Sequence, residues 1–160
     1  MRRADFEQLY EEHAQALFGF LAYRTGDRAV AEDLLADTFE RALRARKRFD
    51  RRKASEKTWL YTIALNLLRD YARRRASETR ALERYPHAGG EPPDELAHVE
   101  HRDQVQRALG TLSDEEREAV ALRFGADLTV PEIAKLLGEP LPRVEGRVYR
   151  SLRKLRERLD

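Results

Sequence analysis

From Leu128 to Leu159 the sequence LTVPEIAKLLGEPLPRVEGRVYRSLRKLRERL reads as two helices joined by a tight turn. Thr129 and Glu132 are spaced so that hydroxyl and carboxylate can each accept a backbone amide at a helix start, and Pro131 fits a first turn whose amides lack intrahelical partners. Ile133, Ala134, Leu136 and Leu137 give this short helix an apolar side, and Gly138 stands where a left-handed residue commonly ends one. Pro140 and Pro142 mark a turn and a new start. On the second helix Val144, Val148, Leu152, Leu155 and Leu159 recur at the helical repeat. Its other face carries Arg143, Arg147, Arg150, Arg153, Lys154, Arg156 and Arg158 against Glu145 and Glu157. These are the parts of a helix-turn-helix that lays its second helix in the DNA major groove, although a solvated amphipathic helix shares the pattern.

The 160 residues are 38% charged but carry a net charge of only +2, so charge distribution rather than total must select a partner. With no cysteine, disulfides and thiolate metal sites are excluded, which fits a cytosolic chain. No apolar run approaches a membrane span, and MRRADFEQLY lacks the apolar segment of a signal peptide, so a soluble, cytoplasmic protein without membrane insertion is expected.

Upstream, Phe6, Leu9, Tyr10, Leu17, Phe18 and Leu21 predict a helix from Asp5 to about Arg24, broken by Thr25-Gly26-Asp27, with Asp27 as the next N-cap. A second helix to about Arg46 buries Val30, Leu34, Leu35, Phe39, Ala42 and Leu43 and leaves Glu32, Asp33, Asp37 and Glu40 as an acidic exposed surface. The segment Arg44 to Lys53, RARKRFDRRK, packs seven basic residues around one aspartate and exposes Phe49. A basic loop with an aromatic suits single-stranded nucleic acid, and a surface loop would look the same.

Ser55 caps a third helix reaching about Arg75, with Trp59, Leu60, Ile63, Ala64, Leu67, Leu68, Tyr71 and Ala72 on one face and Asn66, Arg69, Asp70, Arg73 and Arg74 elsewhere. Trp59 reads as core. Ser77 to Pro93 holds five prolines and glycines and no helical stripe, and reads as a mobile linker. Beyond it Asp94 caps a helix ending near Gly110, and Ser113 with Glu116 starts another whose buried side is Ala119, Val120 and Phe124.

His87, His98 and His101 do not make the three or four convergent ligands a zinc site needs, so no metal is expected. Neither a nucleophile with its base nor a phosphate-cradling glycine loop, HExxH or Gly-x-Ser-x-Gly is present, so neither an enzyme nor a cofactor is expected.

In order, AEDLLADTFERAL (Ala31 to Leu43), WLYTIALNLLRDYARRR (Trp59 to Arg75), and LSDEEREAVALRF through VPEIAKLLG to the basic last helix resemble the signatures of extracytoplasmic-function sigma factors of bacterial RNA polymerase. The resemblance implies an all-α chain with a three-helix region 2 domain over 1–76, a flexible linker over 77–93, and a four-helix region 4 domain over 94–160. It implies that Glu32, Asp33 and Asp37 contact core RNA polymerase while Phe39 supports the core. Arg48, Phe49, Arg51, Asn66, Arg69, Arg73 and Arg74 would handle the minus-ten element, where a base leaves the duplex. Arg143, Glu145, Arg147 and Arg150 would read the minus-thirty-five element. Promoter DNA, duplex and melted, and an anti-sigma factor are the further partners implied.

Three positions depart from the family pattern. Leu65 stands where members often carry a basic residue, removing one polar contact. Glu145 and Gly146 stand where a lysine and a serine are common, which implies altered promoter preference or weaker upstream binding. A stand-alone helix-turn-helix regulator is the alternative, but it gives no reason for the acidic second helix or the basic loop. A helical adaptor gripping an acidic partner is a third class.

Overall fold

Gly26 divides the first two helices because its φ of 66° lies in the left-handed region that favours glycine. Its amide donates to the Ala22 carbonyl at 2.9 Å and closes helix α1, Arg3–Thr25. Asp27 then accepts from the amides of Ala29 and Val30 at 3.0 and 3.3 Å and opens α2, Arg28–Ala45. A single 3-10 turn, Arg46–Arg48, leads into the basic loop. Ser55 Oγ accepts from the Thr58 amide at 3.1 Å at the start of α3, Glu56–Leu82. The computed structural model describes residues 1–82 and 100–159 of the chain.

These three helices share one core. Leu9, Leu17, Phe20 and Leu21 from α1 meet Ala31, Leu34, Phe39 and Ala42 from α2 and Leu60, Tyr61, Ala64, Leu65, Leu67 and Leu68 from α3. Each large apolar side chain so buried contributes about 1.5–3 kcal/mol. Because α1 packs against both other helices, its buried arc is wider than a single stripe and takes in Phe20, which edges onto Tyr61 at 5.6 Å. Leu43 and Tyr10 lie at the rim instead, 37% and 49% exposed. Leu65 is 2% exposed, so it is apolar here because it is core.

The third helix runs past Ala76 to Leu82, so residues 77–82, expected in the linker, are helical. SETRAL consists mostly of good helix formers and continues the helix without an apolar stripe. The remainder of the expected linker, Asp94, His87 and His98, and the side chain of His101 lie outside the described residues.

The chain divides into two compact units, Met1–Pro92 and Pro93–Asp160. In the second, α4 spans Glu100–Gly110 and α5 spans Asp114–Val120. The latter continues into a π-helical turn, Ala121–Gly125. Then come α6, Val130–Leu137, and α7, Leu141–Leu159. Both expected capping boxes form, Ser113 with Glu116 and Thr129 with Glu132. In the π turn the Ala126 amide donates to the Ala121 carbonyl at 2.9 Å, one residue beyond the α-helical bond. The extra residue rotates Phe124 out to 51% exposure and puts Ala121 and Leu122 in the core, reversing the expectation that Phe124 is buried. Among the described residues every regular element is helical, and the fold is all-α.

Candidate nucleic-acid interface

Pro140 accepts the amides of Arg143 and Val144 and starts α7, and Val144, Val148 and Ser151 bury one side of it. That side locks the helix onto α4, α5 and α6. Of the four residues expected to read DNA, Arg143, Glu145 and Arg150 are exposed. The fourth is not. Arg147 keeps 9% of its side chain exposed, with one guanidinium nitrogen 2.8 Å from Glu139 and the other 3.8 Å from Glu115. Its neighbour in the same row, Lys154, donates to Glu116 at 2.9 Å. Glu116 is held below the usual carboxylate range first by the Ser113 amide and then by Lys154. The basic face therefore splits. Arg147 and Lys154 are paired with acids inside the unit, while Arg143 and Arg150 have no counter-ion among the described residues.

Gly146 fits this arrangement. A Cβ there would lie 3.0 Å from the Arg150 guanidinium, so the glycine lets that side chain lie along the helix. Tyr149, which the sequence reading did not single out, projects outward with 69% exposure. Its position one turn beyond Glu145, off the Val144–Val148 stripe, was the available signal.

The basic loop is ordered by its one acid. Asp50 accepts from the backbone and side chain of Arg52 at 2.9 and 3.2 Å, and these bonds hold its carboxyl below the ordinary range. Arg51 pairs with Glu56 at 2.9 Å, while Arg48 is exposed with no counter-ion among the described residues. Phe49 was expected to be exposed. It is half-buried, with its ring 4.9 Å from that of Trp59, which is half-buried in turn rather than fully core. Two aromatics thus pin the loop to the start of α3.

Along α3, Asn66, Arg69 and Arg73 follow one another up an exposed face and line an open groove with Asp70 and Ala72. Arg73 bonds Asp70, and Arg74 is exposed beside them. From Asn66 to Arg73 the helix rises roughly 10 Å, enough to follow a few nucleotides of backbone. On α2, Glu32 pairs with Arg28 at 3.8 Å. Asp33 and Asp37, one turn apart and exposed, have no cationic partner among the described residues. Like charges at this spacing cost about 0.2–0.5 kcal/mol, which an external cation would relieve. Phe39 is 6% exposed and lies between Phe6 and Tyr10, as a core support should. Among the described residues no acid and histidine cluster could hold a metal, and no helix is long and apolar enough to cross a membrane.

Residues 9–78 match the family model for sigma-70 region 2, and residues 108–157 match that for sigma-70 region 4. The chain is 31% identical to the extracytoplasmic-function sigma factor SigX of Bacillus subtilis, over 97% of this chain and 84% of SigX. It is 30% identical to the extracytoplasmic-function sigma factor BldN of Streptomyces coelicolor over 94% of its length, and spans 58% of that longer protein. Its fold is similar to that of the sigma factor RpoE solved in complex with the anti-sigma factor NepR from Bartonella quintana. There the TM-score is 0.78 and the identity 26%, covering 97% of this chain and 96% of RpoE.

Proposed function

The chain belongs to the extracytoplasmic-function sigma factors of RNA polymerase, and from that membership we propose how its surfaces share the work of starting transcription. It binds core RNA polymerase and directs it to promoters, and the bond-making chemistry stays with the polymerase. The observation that carries this reading is that one chain bears both regions, in order, on two helical units. A stand-alone regulator would need only the second.

Glu32, Asp33 and Asp37 dock on core polymerase, the two unpaired aspartates supplying charge that a basic partner surface relieves. The first unit, expected over 1–76, handles the minus-ten element. Arg48 and Arg51 take phosphates at the loop, Phe49 braces it against Trp59 beside the captured base, and Asn66, Arg69, Arg73 and Arg74 track the separated strand. Unstacking a base costs a few kcal/mol, and stacking and phosphate contacts of about 1–3 kcal/mol per base offset it. The second unit, expected over 94–160, reads the minus-thirty-five element through Arg143, Glu145 and Arg150. Glu145 can accept from a cytosine amine, which is the chemistry that justifies a carboxylate near phosphates. An anti-sigma factor holds the chain inactive by covering the polymerase-binding surface, a reading supported by the fold shared with an anti-sigma-bound relative. The chain acts in the cytoplasm, where polymerase and promoter meet.

A footprint tests this. Core polymerase with the chain should protect a discrete duplex containing two elements that neither component protects alone. Protection by the chain alone would instead favour a stand-alone regulator.

A further inference from the structure

The buried guanidinium of Arg147 sits in the middle of the helix that carries the DNA-reading residues, and its two partners lie on two other elements. Glu139 belongs to the turn between α6 and α7. Its amide donates to the Ala134 carbonyl at 3.0 Å beyond left-handed Gly138, so the backbone fixes where this carboxylate stands. Glu115 is in the first turn of α5. Arg147 thereby ties the turn and α5 to α7, with contacts of 2.8 and 3.8 Å.

A guanidinium already facing two carboxylates is a poor phosphate ligand. Its charge is matched, its side chain is only 9% exposed, and an approaching phosphate would meet Glu115, whose side chain is 80% exposed, first. Arg143 and Arg150 differ on every count. They flank Arg147 along the same side of α7, both exposed and both without a counter-ion among the described residues. The direction in which these two project is set by how α7 lies on its unit, and Arg147 is the polar contact that lies between them there, with Lys154 to Glu116 further along the helix.

We propose that Arg147, held by Glu139 and Glu115, is a positioning residue for upstream promoter recognition. It makes no contact with DNA, and it aims Arg143 and Arg150. This inference rests on the sigma-factor reading and refines its minus-thirty-five surface.

The test uses holoenzyme assembled from the full chain and core polymerase. The probes are a duplex promoter recovered from its own start sites and the same duplex with the upstream element scrambled, each measured over a range of salt. Each phosphate contact contributes about 0.9 to the slope of log affinity against log salt. The Arg143→Met/Arg150→Met variant should lower that slope by about 1 to 2, whereas Arg147→Met should leave it unchanged and reduce the preference for intact over scrambled duplex roughly tenfold. Arg147→Lys should recover part of that preference. Glu139→Gln removes a negative charge near DNA, yet it should also lower the preference, because it releases the anchor.

A slope that falls with Arg147→Met as it does with the double variant would overturn the proposal. So would a Glu139→Gln variant with unchanged preference. Should Arg147→Met fail to fold, arginine labelling of the wild-type chain with phenylglyoxal decides. Arg147 should be unreactive with and without promoter, and reactivity that promoter DNA suppresses would overturn the proposal. Wild-type holoenzyme showing no preference at all would count against the sigma-factor reading instead.

Discussion

Arg147 Nη1 lies 2.8 Å from Glu139 Oε2, joining the recognition helix to the turn that precedes it. Breaking a buried pair by removing one partner costs more than removing both, because the survivor keeps its desolvation without compensation. Because Glu139 is only half-buried and Arg147 still faces Glu115, Glu139→Met should destabilise the second unit by about 1–2 kcal/mol, and the double variant Glu139→Met/Arg147→Met by clearly less. Thermal unfolding of the full chain, followed by circular dichroism, compares them.

Tyr61 is wholly buried, and its hydroxyl has no hydrogen-bond partner among the described residues. Tyr61→Phe should leave stability unchanged or raise it by about 1 kcal/mol, since the uncompensated desolvation of the hydroxyl disappears. Burial pushes its ionisation up to about 12 from 10.0. The folded state then keeps a proton that the unfolded state gives up, so this residue's contribution is intact below pH 10 and lost as pH rises towards 12. Denaturant midpoints across that window should fall more steeply for wild type than for Tyr61→Phe.

Glu116 ionises more readily folded than unfolded because the Ser113 amide and Lys154 favour its carboxylate. Its contribution is present above the unfolded value of about 4.5 and is lost as pH falls below that. Glu116→Ala should cost about 1 kcal/mol at neutral pH through the lost capping box and show a smaller loss on acidification than wild type. A pH series of thermal melts reads both.

Gly146→Ala should stabilise α7 by up to about 1 kcal/mol, because glycine in a helix interior is costly. The added Cβ, 3.0 Å from the Arg150 guanidinium, must displace that flexible side chain. The variant should therefore melt higher and shift the upstream sequence enriched from a random duplex library by the holoenzyme.

Local signals made the helix ends legible. Asp27, Ser55, Ser113 with Glu116, and Thr129 with Glu132 cap where their spacing predicts, because a cap is satisfied within three residues. What escaped was decided at longer range. Arg147 looked like one more cation on a basic face, and only the fold brings Glu115 to it. Leu65 belongs to a second row of side chains that α3 buries against α1 and α2, which the apolar stripe alone did not include. Phe124 fitted an α-helical stripe that a π turn interrupts. Phe49 needed Trp59, which lies across the loop. The continuation of α3 to Leu82 rests on helix propensity alone, a signal that a search for apolar stripes passes over.

Start sites mapped on a genomic fragment library transcribed by purified core polymerase, with and without this chain, test the account most directly. Discrete new starts should appear with the wild-type chain and vanish with the Asp33→Lys/Asp37→Lys variant. A folded wild-type chain that binds duplex DNA unaided and yields no new starts would contradict it.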